Sequence, residues 1–170
     1  MATIIKPPKR YDLTGKYSIF LAGTIDMGEA EDWQKEVEKA LAEFDVVILN
    51  PRRDDWDASW EQSIDNPEFK EQVSWELSAQ EHASFVLFVF GSSPEAAKKA
   101  KAPITFLELG RFSNKDCMVC CPDQFYRKGN VDIFCERYGI PLYEDMQKML
   151  TDFKALLVNE QKINKEVYRR

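Results

Sequence analysis

The 170-residue chain, 44% of it hydrophobic, is long enough for one well-filled core and too short for two. Lys+Arg 23 against Asp+Glu 29 leaves a net charge of -6 with the cations scattered, which speaks against nucleic acid or an anionic membrane as partner and for a small substrate. Residues 1–8 hold no apolar run of signal-peptide length, and no later segment approaches the roughly eighteen apolar residues of a membrane span, so a cytoplasmic protein is expected.

Residues 1–16, with Pro7, Pro8 and mixed charges, read as an extended lead-in to one domain over 17–170. The apolar run 17–22, ended by Gly23, has the composition of a strand covered on both faces. After the turn 23–27, Trp33, Val37, Leu41 and Phe44 keep helical spacing and predict a helix over 29–44. A second strand at 45–49 gives way to a polar, aromatic, proline-marked loop over 50–62. A helix over 66–82 follows, with Phe69, Val73 and Leu77 expected on its buried side and Gln72, Glu76 and Gln80 as a neighbouring polar row.

The strand 84–90 is almost wholly apolar; the loop 92–102 is expected to be partly helical at 95–101. Pro103 then opens a helix to Phe112, since proline is tolerated in a first turn. It carries a single carboxylate, Glu108, about a turn and a half in, where the positive end of the helix dipole is expected to favour the ionised form. A fourth strand at 116–121, a loop at 122–129, a helix capped by Asn130 and closed by Gly139, a fifth strand at 140–143 and a helix over 144–168 complete the chain. Five strands alternating with helices predict an α/β fold, a flavodoxin-like parallel sheet of order 2-1-3-4-5 with helices on both faces. In such a sheet ligands bind beyond the carboxyl ends of the strands, where the four most polar loops of this chain fall.

Cys117 and Cys120 have C-x-x-C spacing, but no second pair or paired histidine completes a zinc set, and the four cysteines read as buried free thiols. His82, the one histidine, has no G-x-S-x-G serine to serve. Neither G-x-G-x-x-G nor a Walker A sequence is present. That leaves Glu108 and Glu76, on the helices after and before the third strand. Two acids flanking a sugar suit attack at an anomeric carbon, one as nucleophile and one handling the leaving group's proton; each also has a bland reading, as a solvated acid or a partner to a nearby cation.

Taken in order, Ile19-Phe-Leu-Ala-Gly23, Asn50-Pro-Arg-Arg53, Trp75-Glu-Leu77, Leu107-Glu-Leu-Gly110 and Arg127-Lys-Gly-Asn-Val131 resemble the nucleoside 2-deoxyribosyltransferases and the related nucleotide N-glycosidases. The resemblance implies that Glu108 attacks C1' of a deoxynucleoside, expels the base and forms a covalent deoxyribosyl-enzyme, with Glu76 in the place of the family's acidic helper, usually an aspartate. It further implies substrate contacts from Gly23, Thr24, Arg53, Asp54, Trp56 and Asn130. Trp56 or Trp60 would stack on the base and Asp54 would read an edge, while Asn130 would reach the sugar of a neighbouring subunit in a homo-oligomer with shared sites. Ala102 stands where many members carry an acid, so base recognition differs here. Arg52 and Arg53, with Ser92 or Ser93, leave a phosphate contact open. The expected partners are a deoxynucleoside and a free nucleobase; no metal and no organic cofactor is called for. Hydrolysis of deoxynucleosides or their 5'-monophosphates is the alternative reaction, and a non-catalytic nucleotide-binding module is the alternative of another class.

Overall fold

The computed structural model describes residues 1–24 and 32–167, the last six by backbone alone. Six parallel strands form one sheet: β1 (Thr3–Ile5), β2 (Ser18–Gly23), β3 (Val47–Leu49), β4 (Phe85–Val89), β5 (Cys117–Cys120) and β6 (Leu142–Tyr143), in the order β1-β3-β2-β4-β5-β6. Without β1, that order is the flavodoxin-like 2-1-3-4-5 expected from the sequence. The sixth strand comes from the segment read as a lead-in. Thr3, Ile4 and Ile5 pair with Val47, Ile48 and Leu49, covering what would otherwise be an open edge of β3.

The helices are α1 (Trp33–Ala40), α2 (Pro67–His82), α3 (Pro94–Lys99), α4 (Pro103–Phe112), α5 (Lys128–Tyr138) and α6 (Met146–Val167). Residues 25–31 and 168–170 lie outside the described part, so the turn after β2, the expected first turn of α1 and the expected last residue of α6 lie there too. Successive strand residues point to opposite faces, which divides the core in two. Phe20, Ala22, Val86 and Phe88 pack with residues of α2 to α5, while Ile19, Leu21, Phe85 and Leu87 pack with α1 and α6. Such burial of both faces explains why β2 and β4 contain almost no polar residue.

Two helix expectations are corrected. On α2 the buried residues are Gln72, Trp75, Ala79 and Gln80, whereas Leu77 is exposed. The helix is turned about 100° from the phase its apolar residues suggest, because Trp75 and Ala79 face the sheet and the chain's own N-terminus holds that face. Trp75 Nε1 donates to Lys9 O at 2.8 Å, Tyr11 sits edge-on to Trp75, and Tyr11 hydroxyl donates to Ser78 Oγ. Helix α5 begins two residues before Asn130, so Asn130 is its third residue and not its cap.

Candidate active site

The carboxyl ends of β2 and β3 and the start of α4 border a cleft of about 210 Å³. Its walls include Gly23, Thr24, Pro51, Ala102, Thr105, Glu76 and Glu108. Gly23 is required by packing: a Cβ there would stand 2.5 Å from Val89 O and 2.7 Å from Trp33 Cζ2. Trp33 is fixed in turn by its Nε1–H bond to Thr24 O. Thr24 is buried and its Oγ1 has no hydrogen-bond partner among the described residues, a polar atom left over beside the cleft.

Local sequence explains the delivery of each acid. Asn66 accepts Phe69 N–H and Pro67 occupies the first position of α2, which together start that helix and place Glu76 two and a half turns on. In α4, Pro103 follows Ala102 in a left-handed conformation (φ 52°), and Thr105, Glu108, Leu109 and Phe112 form the inward stripe. Glu108 thus shares its face with core residues and is 8% exposed.

The chemistry of the pair follows from that burial. Glu108 is pushed up to about 8, first by burial, then by the charge of Glu76, with the bond from Gln80 pulling the other way. Glu76 rises to about 7 through burial, opposed by its bond from Gln72. The expected preference of the α4 dipole for an ionised Glu108 is therefore overridden by desolvation and a like charge. Two acids so coupled titrate as a unit; between about pH 7 and 8 the pair holds one proton, and the higher value of Glu108 keeps it mainly there. One group can then act as base or nucleophile while the other is an acid.

Both acids are tethered by glutamines of the row expected to be merely polar. Gln72 Nε2 donates to Glu76 Oε1 at 2.7 Å and to Pro51 O at 2.8 Å. Gln80 Nε2 donates to Glu108 Oε1 at 2.6 Å. Neither glutamine was singled out from the sequence as part of the site. The available signal was their spacing of four from Glu76, with Trp75 and Ala79 on the same face.

The other expected residues are only partly gathered. Trp56, edge-on to Trp60, borders a second, larger groove between α2 and α4 that shares Glu76 and Glu108 with the first cleft. Arg53 borders that groove too, but its guanidinium is bound to Asp55 and Glu71. Arg52 leaves Nη1 without a partner among the described residues. Asp54 does not line either cleft and pairs with Lys6 of the N-terminal segment. Ser93 caps α3. Asn130 is exposed on α5 and borders neither cleft.

Cys117, Cys120, Cys121 and Cys135 are free, buried thiols raised by burial. Among the described residues, no group of His, Cys, Asp or Glu is arranged to hold a metal, and no helix is long and apolar enough to cross a membrane. No curated protein matches the chain. The sequence model of the family described as nucleoside 2-deoxyribosyltransferase like matches residues 16–125, which span β2 to β5 and both acids. With nearly two thirds of its length so matched and a flavodoxin-like sheet, the chain belongs to this family of deoxyribosyltransferase-type enzymes.

Proposed function

We propose that the protein transfers 2-deoxyribose between nucleobases by a retaining double displacement. A Glu108 oxygen attacks C1' as the C1'–N bond breaks; the bonding pair leaves with the base nitrogen, which takes the proton from Glu76. The product is a deoxyribosyl ester on Glu108 and a free base. A nitrogen of a second base then attacks C1', Glu108 departs as carboxylate, and Glu76 recovers a proton. Two inversions give net retention.

The observation that carries this reading is that the carboxyls of Glu76 from α2 and Glu108 from α4 line one cleft, each held by a glutamine of α2. The single proton rests mainly on Glu108, and the productive form moves it to Glu76 and leaves the charge on Glu108. Incubation with one deoxynucleoside, with and without a different free base, tests it. A new deoxynucleoside in the second tube alone supports transfer; free 2-deoxyribose in both tubes replaces transfer by hydrolysis.

In this reading the enzyme works as a homo-oligomer. Leu77, Ile104 and Leu107 are 43%, 59% and 68% exposed along the groove between α2 and α4, beside both acids. A solvated patch of that kind suits a protein partner. Its edge carries Glu81 and Arg111, which pair with each other at 3.9 Å. Exposed Asn130 is then free to serve a neighbouring protomer's sugar.

A further inference from the structure

Gln80 is a fully buried amide in a position where stability alone favours an apolar residue of the same length. It is 0% exposed, and its Oε1 has no hydrogen-bond partner among the described residues. A buried carbonyl without a donor is an uncompensated cost. The amide's other end makes one described hydrogen bond, Nε2–H to Glu108 Oε1 at 2.6 Å. Glu108 Oε2 accepts no hydrogen bond from a described residue. Gln72 is a different case, because its amide is divided between Glu76 and the Pro51 carbonyl and so also anchors the loop after β3.

Placement comes from two rigid elements. Gln80 lies one turn beyond Glu76 on α2 and one position after Ala79, which is packed in the core. Glu108 lies between Thr105 and Leu109 on the inward stripe of α4. The bond therefore joins two helices and not two mobile side chains.

We propose that Gln80 is a positioning residue for Glu108: by holding Oε1 from α2 it fixes the rotation of the carboxylate and leaves Oε2 as the oxygen that attacks C1'. The proposal rests on the reading of Glu108 as nucleophile. An N–H bond to a carboxylate is stronger than one to the neutral acid, so the same contact biases the shared proton toward Glu76. Removing it makes Glu108 harder to ionise and lets its carboxyl rotate.

The test is Gln80→Met, close in size and without a donor, beside Gln80→Asn, whose amide is one methylene too short. Each is checked for folding by its thermal transition. The expected result is a kcat lower by roughly 10- to 100-fold, the range of one hydrogen bond to a charged group, with KM changed far less. The acid limb of the kcat profile should also move to higher pH. A folded variant with wild-type kcat and an unmoved limb overturns the proposal. If the wild-type protein shows neither exchange nor hydrolysis, the nucleophile reading fails separately. The carboxyl carbon of Glu108, followed by 13C NMR, still decides the contact: titration at higher pH in Gln80→Met supports it, and an unmoved titration overturns it.

Discussion

A glutamate packed between Thr105 and Leu109, with a second acid beside it, weakens the fold at the pH where it would work. Its folded pKa of about 8 lies above the ordinary 4.5, so stability is at its fullest while the acid is protonated in both states. That contribution is lost as pH rises from about 4.5 through 8, and changes little beyond. Glu108→Gln, which keeps an acceptor for Gln80, should therefore match wild type near pH 4.5 and exceed it by on the order of 2–4 kcal/mol at pH 8.5. Urea unfolding at both pH values measures this, and equal gains at both would contradict it. Activity should be bell-shaped about neutral pH, since either a second proton or the loss of the last one leaves the pair without its division of labour. A kcat/KM profile from acid to alkaline pH without two limbs would count against the shared proton. Glu108 stood out in the sequence as one acid inside an apolar segment; its raised pKa was not legible, because it comes first from burial that the expected ionised state did not foresee, then from Glu76 on another helix.

At the scale of elements, β2, β4 and β5 announced themselves because each is apolar along its whole length, and such runs fit only the covered middle of a parallel sheet. The strand β1 is three residues pairing with β3 alone, and Thr-Ile-Ile within a charged, proline-marked stretch gives no comparable signal. The phase of α2 escaped for a different reason. Its apolar row of Phe69, Val73 and Leu77 was the natural candidate for the core, yet the row of Gln72, Glu76 and Gln80 lies closer to the inward face that Trp75 and Ala79 define. Helix α2 partly inverts the usual rule, burying Gln72 and Gln80 beside Trp75 and Ala79 and leaving Leu77 outside. Where β2 meets β4, Gly23 is fixed by sterics: Gly23→Ala must displace the Val89 carbonyl or Trp33, and should cost roughly 1–3 kcal/mol. Thermal unfolding within about a degree of wild type would refute that packing.

For the whole molecule, the sheet brings the acids of α2 and α4 to one edge, and the apolar groove between these helices opens beside them. Leu107→Glu, at a 68% exposed position, should leave the fold intact, turn an oligomer into single copies in sedimentation velocity, and reduce base exchange. A wild-type protein that already sediments as one copy would remove the shared-site reading while leaving the chemistry of the pair untouched. The expected reach of Asn130 into a neighbour was readable only by resemblance, since an exposed helical asparagine has no signature of its own. The proposed double displacement requires that Glu108 become covalently bound to the sugar. Intact-protein mass spectrometry after brief acid quench of a reaction with one deoxynucleoside tests it most directly. The expected result is a species heavier by one deoxyribosyl unit in the wild type, lost when a second base is added and absent in Glu108→Gln. Exchange or hydrolysis that proceeds with no such species at any time point, or an adduct that persists in Glu108→Gln, would contradict it.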